Sequence, residues 1–253
     1  MSVIRIILLP ACCLVAAVAF CICVAPDDAS LEPKAQSINL VPGPSMANAT
    51  DIARLNLRLA ASCPGAEGLD VESALAVLDW WAARVEAETN RYLPRFQQSP
   101  ADYMNSEAYF RILVLVTVLQ QDCGVRYNPD RIHDPDFTNP ADLFIHGMIP
   151  ANGEPTAGGT CVSMPVLYVA IGRRLGYPLF LVTTKSHVFA RWDGDGERFN
   201  IEATNQGLNV YPDEHYHAWP QPLTSEEIES GMYLRSLTPD QELALFLAAK
   251  GHL

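Results

Sequence analysis

The chain has 253 residues, of which 49% are hydrophobic and 18% are charged. This composition excludes an intrinsically disordered protein, and the length allows one large domain or two small ones. The formal net charge at pH 7 is −12. Because an acidic body repels a phosphate backbone, we expect no nucleic acid among the partners.

The amino-terminal segment differs in kind from the rest. Residues 6–25 carry no charge and are almost wholly apolar, a length that can span a bilayer. Arg5 in front of them favours retention of that end in the cytoplasm. Ala17-Val18-Ala19 also fits the small-x-small pattern of a cleavage site. Residues 1–25 are therefore predicted to be either a cleaved signal peptide or a membrane anchor.

The next 25 residues read as a linker. Residues 26–50 mix Pro, Ser, Asp and Gly without a sustained period. Residues 51–253 then form the exported domain, which we expect in the periplasm or envelope, either secreted or held at the membrane through residues 6–25.

Three helices are predicted in the first part of this domain. The first covers 52–61. The second has Asp70 as its N-cap and ends before Pro94; its apolar stripe includes Trp81, with Trp80 partly buried beside it. A third helix is expected from about residue 105 to Gly124, followed by a loop region as far as residue 160.

The pattern changes after residue 160. A helix is predicted from about residue 163 to Leu175, with Gly176 after its end, and Arg173 and Arg174 are expected on its exposed face. The segments 179–184, 187–192 and 198–202 are typical of strands, and Asp193-Gly194-Asp195-Gly196 indicates a hairpin. A last helix should begin after Thr238. Helices followed by antiparallel strands predict an α+β fold.

Three residues within this part could form a nucleophilic site. Cys161 is predicted at or just before a helix N-cap, where the unsatisfied N–H groups and the helix dipole favour a thiolate. His187 and Glu202 fall on neighbouring strands. With the hairpin centred on 193–196 the two are expected roughly opposite each other, so that the carboxylate orients the imidazole.

The same stretches resemble a known family. GTCVSMPVLYVAIGRRLGYP, HVFARW and FNIEAT are similar to the bacterial branch of the transglutaminase-like superfamily, which has a papain-like core. The resemblance implies a central Cys-bearing helix and amino-terminal helices packed on a small antiparallel sheet. It also implies that Cys161 is the nucleophile, His187 the base and Glu202 the orienting acid. The family more usually has Asp at that last position.

The activity expected from this resemblance is acyl transfer at an amide or peptide bond through a thioester, by a hydrolase or a transglutaminase-like enzyme. The partner would be a peptide or protein substrate, and no cofactor or metal is expected. The alternative is an inactive module of the same fold that binds a peptide or an envelope partner. A rival, metal-binding interpretation of Asp213, His215, His217 and His146 is weaker, because ligand-like residues on a Pro-flanked loop are commonly solvated.

The cysteines of the exported part are odd in number. Cys63, Cys123 and Cys161 lie beyond residue 25, and in an oxidising compartment two of them can pair. If Cys161 is the nucleophile, the disulfide to expect joins Cys63 to Cys123. Three unpaired, buried cysteines are the alternative.

Overall fold

The computed structural model describes residues 51–132, 136–150 and 156–253. The proposed leader (1–25) and linker (26–50) lie outside these residues, so both assignments stay predictions. Within the described ranges, no helix combines the length and the apolar character needed to cross a membrane.

The described part of the chain contains eight α-helices and one three-stranded antiparallel sheet, which confirms the α+β class. The helices are α1 (Ile52–Ala61), α2 (Val71–Gln98), α3 (Glu107–Thr117), α4 (Pro140–Leu143), α5 (Ser163–Arg174), α6 (Asp213–Ala218), α7 (Ser225–Ser230) and α8 (Pro239–Lys250). The strands, in the spatial order of the sheet, are β1 (Leu179–Thr184), β2 (His187–Gly194) and β3 (Glu197–Ile201).

Helix α2 runs past the predicted stop. Asp70 caps its start, accepting hydrogen bonds from the N–H groups of Glu72 and Ser73, but Pro94 lies inside the helix. A proline removes one hydrogen bond to the carbonyl four residues earlier, and here that residue, Asn90, is exposed, so water can solvate the carbonyl. The predicted end was therefore wrong by about one turn.

The tryptophan pair on α2 divides between core and solvent. Trp81 is buried at 2% exposure, as predicted, whereas Trp80 is 61% exposed. The interpretation of Trp80 as partly buried was wrong, because its position falls outside the apolar stripe and the ring stays exposed among the residues that the structure describes.

The third predicted helix is built from two kinds of helix. Ser106 caps α3, which ends at Thr117 and continues as a π-helix over Val118–Asp122 before Gly124 turns the chain with φ 73°. Widened turns of this type are frequent at functional sites. The sequence predicted where this helical segment begins and ends, but not the change from α-helix to π-helix within it.

Helix α5 is the centre of the core. Its residues Ser163 to Gly172 are all buried, and it packs against α1, α2 and α3 as well as against β1 and β2. At Gly172 an added Cβ would lie 2.2 Å from Leu179 Cδ1, so a larger residue there would force the Leu179 side chain of β1 to move. The helix that follows Cys161 is thus held on several sides.

The end of α5 carries a buried ion pair. Arg173 was expected on an exposed face, but its side chain is only 10% exposed and binds Glu242 of α8 through two hydrogen bonds of 2.9 and 2.6 Å. Its Nε also donates to the Leu179 carbonyl at 2.8 Å. The prediction was wrong because α8, distant in sequence, covers this side of α5.

Replacing Glu242 with alanine should destabilise the protein strongly. The change would leave the Arg173 guanidinium buried without its counter-ion, which typically costs about 3–5 kcal/mol of unfolding free energy. Urea denaturation followed by circular dichroism measures the loss. Glu229→Gln, an exposed carboxylate on α7, is the matched control and should change stability by less than about 0.5 kcal/mol; equal effects of the two changes would contradict the assignment.

Candidate functional site

Cys161 lies immediately before α5. Val162 is the N-cap residue and Cys161, 1% exposed, precedes it, as the sequence predicted. The chain reaches this point through Gly158, whose φ of 110° favours glycine, and Gly159, where a Cβ would meet Met148 Sδ at 2.4 Å. These two glycines let the backbone pass between neighbouring segments just before the cysteine.

A polar network fixes the segment around Cys161. The Asp142 backbone carbonyl accepts hydrogen bonds from Thr160 Oγ1 (2.6 Å) and Ser163 Oγ (3.3 Å). The Asp142 carboxylate accepts from Arg131 Nε (2.7 Å) and Asn128 Nδ2 (3.3 Å). The region predicted as a loop therefore contains the short helix α4, whose last turn anchors both flanks of the cysteine.

His187 and Glu202 are brought together. Nε2 of His187 lies 2.8 Å from Oε2 of Glu202, and each residue is 2% exposed. An ionised carboxylate can only accept, so Nε2 carries the donated proton and Nδ1 is left as the basic nitrogen. This is the pairing that the sequence predicted.

The strand register that produces this contact differs from the predicted one. The hairpin turn consists of Asp195 and Gly196 alone, both with positive φ, and Ala190 pairs with Ile201. Extended by one residue, this register sets Glu202 opposite Phe189, two residues from His187. The predicted hairpin centre was therefore wrong, and the two residues are diagonal neighbours. Such diagonal neighbours lie about 7–8 Å apart at the backbone, a gap that a long side chain spans.

The Glu202 carboxylate is fully engaged. Oε1 accepts from the N–H (3.1 Å) and Oγ1 (2.7 Å) of Thr204, and Oε2 also accepts from the Tyr216 hydroxyl at 3.2 Å. Burial alone raises the pKa of Glu202, but the attraction and hydrogen bond of His187, together with the bonds from Thr204, leave the pKa below its ordinary value. The carboxylate is therefore ionised at neutral pH.

Tyr216 is a site residue that the sequence reasoning missed. It lies on α6, is fully buried, and stacks on Phe189 with ring centroids 3.9 Å apart. Burial, followed by the nearby Glu202 charge, raises the pKa of Tyr216, so it stays protonated and donates. Helix α6 has six residues, too few to show a hydrophobic periodicity in the sequence. The one sequence feature near Tyr216 was the HYH triplet, which we had interpreted as a possible metal site.

A charge network around the buried Arg191 holds α6 against the sheet. Arg191, on the same strand face as His187, donates from Nε to Asn200 Oδ1 (2.6 Å) and pairs through Nη2 with Asp213 of α6. Asn200 Nδ2 also donates to Asp213 Oδ1 at 2.8 Å. Asp213, considered as a metal ligand, serves here to dock the helix that delivers Tyr216.

A family model described as the transglutaminase-like superfamily matches residues 72–244, more than half of the chain. The chain belongs to the transglutaminase-like superfamily. The match begins in α2 and ends in α8, well beyond the stretches that carried the resemblance in the sequence. No curated protein and no solved structure matches the chain.

In this transglutaminase-like domain, Gln120 links three parts of the structure. Its Nε2 donates to the Tyr168 hydroxyl of α5 and to the Asn205 carbonyl, both at 3.0 Å, and its Oε1 accepts from the Gly207 N–H at 2.8 Å. Gln120 belongs to the π-helix, and residues 205–207 directly follow Thr204. The widened turn thus secures the loop next to the acidic residue.

The cysteine pairing differs from the prediction. Cys63 and Cys123 are both free thiols, so the predicted bridge between them is wrong: Cys63 Sγ donates to the Leu59 carbonyl of α1, while Cys123 ends the π-helix beside Arg84 and Asp122. Burial, then Asp122, raises the pKa of Cys123 to about 11.

Cys161 is disulfide-bonded in this structure, so the prediction that it is a free thiol is also wrong here. A disulfide sulfur is not a nucleophile, and thiolate chemistry at this position requires prior reduction of the bond.

The candidate metal ligands do not converge. Within residues 51–132, 136–150 and 156–253, no three His, Cys, Asp or Glu side chains are arranged to hold a metal ion. His215 instead stacks on the Tyr211 ring at 4.3 Å. His146 lies on a 3-10 turn, Ile145–Met148, and burial lowers its pKa to about 4.

Proposed function

We propose that this protein is a cysteine acyl-transfer enzyme that acts on amide or peptide bonds of a peptide or protein substrate. The observation that carries the proposal is the buried His187–Glu202 pair, whose carboxylate is held by Thr204 and Tyr216, on the sheet that packs against α5. A fully hydrogen-bonded carboxylate orienting a histidine is the arrangement that a general base requires.

The proposed reaction has two steps. His187 takes the thiol proton of Cys161, the thiolate forms a bond to the carbonyl carbon, and His187 then gives the proton to the leaving amine as the C–N bond breaks. Water, deprotonated by His187, next attacks the thioester and releases the acid and the thiol. We favour water over an amine as acceptor because water needs no second binding site.

One observation favours the alternative of a binding module. Cys161 is disulfide-bonded in this structure, and in that state the site can bind but cannot form a thioester. The two functions differ in what the reduced thiol does, which makes the ionisation of Cys161 the decisive property.

The proposal also includes export to the periplasm or envelope, which is supported by the apolar, uncharged segment within residues 1–25.

Alkylation across pH distinguishes the two functions. The full chain is reduced, treated with iodoacetamide from pH 4 to 10, and each cysteine peptide is quantified by mass spectrometry. For an enzyme, Cys161 should react with an apparent pKa well below ~8.5, the ordinary thiol value. Cys63 and Cys123 are internal controls and should react only at higher pH, because burial raises the pKa of both.

A variant pair sharpens this measurement. His187→Ala should move the Cys161 titration upward, because it removes the imidazolium that stabilises the thiolate. His217→Ala is the matched control, a half-buried histidine on α6, and should leave the titration in place. A Cys161 that titrates at or above ~8.5 in the unsubstituted chain would favour the binding module.

A further inference from the structure

A continuous row of aromatic rings extends from His187 toward the surface. The edge of Trp219 contacts His187 with centroids 4.7 Å apart, Trp219 lies 5.3 Å from His215, and His215 stacks on Tyr211 at 4.3 Å. We call Tyr211, His215 and Trp219 the aromatic strip. All three are partly exposed, whereas His187 beneath them is buried.

We propose that the aromatic strip is a subsite that accepts a neutral aromatic side chain of the substrate, next to the bond attacked by Cys161. The inference rests on the proposed function and adds a substrate class to it. Trp219 is its main specificity residue, because it contacts both the buried His187 and the partly exposed His215.

The strip is held in place before any ligand arrives. The buried Tyr216 ring contacts His215 (5.1 Å) and Trp219 (6.0 Å), and the Asp213 network docks α6, which carries His215 and is followed directly by Trp219. The Tyr211 carbonyl accepts from Asn200 Nδ2 at 2.9 Å. Rings ordered in advance lose little conformational freedom on binding, which favours affinity for a flat group.

The charges around the strip select against acidic side chains. Glu214 is exposed on the same helix, and the chain carries a net charge of −12. Burial lowers the pKa of His215, so this imidazole is neutral at neutral pH and offers no cation. Stacked and edge-on ring contacts favour an aromatic group over an aliphatic one of similar size.

The test measures how fast Cys161 is alkylated by peptide chloromethyl ketones that carry Phe, Leu, Ala or Asp beside the reactive carbon. The thiolate forms the C–S bond and chloride leaves, so no turnover is needed. In the reduced full chain we expect the Phe reagent to react about tenfold faster than the Ala reagent and faster than the Leu reagent, with the Asp reagent slowest.

Variants of the aromatic strip test whether its rings cause the faster reaction of the Phe reagent. Trp219→Ala should bring the Phe-to-Ala ratio close to one, and Tyr211→Ala should lower it partly. Trp80→Ala, at an exposed tryptophan of α2, is the control and should keep the full ratio. Each rate is divided by the iodoacetamide rate of the same variant, which removes any change in thiolate reactivity.

The outcomes separate this inference from the proposed function. Equal Phe, Leu and Ala rates, or a ratio that survives Trp219→Ala, would overturn the subsite while the nucleophile stands. A Cys161 that no reagent, including iodoacetamide, modifies after reduction would reject the proposed function and the subsite with it.

Discussion

Replacing Cys161 with serine should abolish amide hydrolysis or transfer while the domain stays folded. A serine hydroxyl does not ionise in this setting as a thiol does, so the imidazole has no thiolate to pair with. Removal of the nucleophile of a comparable site costs at least about 10⁴-fold in kcat. The measurement is release of amine from a peptide amide by the reduced full chain.

A second cysteine provides the control for this substitution. Cys123→Ser alters a partly buried thiol at the end of the π-helix and should retain activity within a few-fold. Thermal unfolding of both variants shows whether the fold is kept. Unchanged turnover in Cys161→Ser would reject the assigned nucleophile.

Replacing Glu202 with glutamine should lower kcat by about 10³–10⁴-fold without a comparable loss of substrate binding. The amide keeps the shape of the carboxylate but cannot stabilise the imidazolium, and it can present an N–H where His187 now donates. Because the pKa of Glu202 lies below its ordinary value, the wild-type carboxylate is ionised across neutral and mildly acidic pH. The effect of Glu202→Gln should therefore be present throughout that range.

A shorter acid at the same position tests the strand register. Glu202 lies diagonal to His187, so Glu202→Asp should lose the hydrogen bond and most of the activity, although Asp is the commoner residue in the family. Glu226→Gln, exposed on α7, is the matched control and should leave kcat unchanged. The measurement is kcat of each variant and of the unsubstituted chain from pH 5 to 9. Full activity in Glu202→Asp would contradict the diagonal geometry.

Most helices and strands could be predicted from the sequence, because capping and turn residues mark where these elements begin and end. Asp70, Ser106 and Thr238 cap α2, α3 and α8 through their own side chains. Gly176, with φ 76°, follows α5 as predicted. Such signals act within a few residues, so they are visible without knowledge of the fold.

What the sequence did not predict depends on contacts between distant segments. Tyr216 reaches Glu202 only because a buried arginine of β2 docks α6, and Arg173 is buried only because α8 covers it. The His187–Glu202 pair was predicted for a partly wrong reason: the turn contains two residues, and the length of the glutamate side chain compensates for the shift in register.

The ion pair between Arg173 and Glu242 also determines which fragments of the chain can be stable. The two residues are 69 positions apart, yet one belongs to the helix that follows Cys161 and the other to the last helix. Proteolysis that removes residues 239–253 would leave the buried Arg173 guanidinium, which lies over the Phe180 ring, without its counter-ion. Helix α8 and helix α5, which follows Cys161, should therefore unfold together as one cooperative unit.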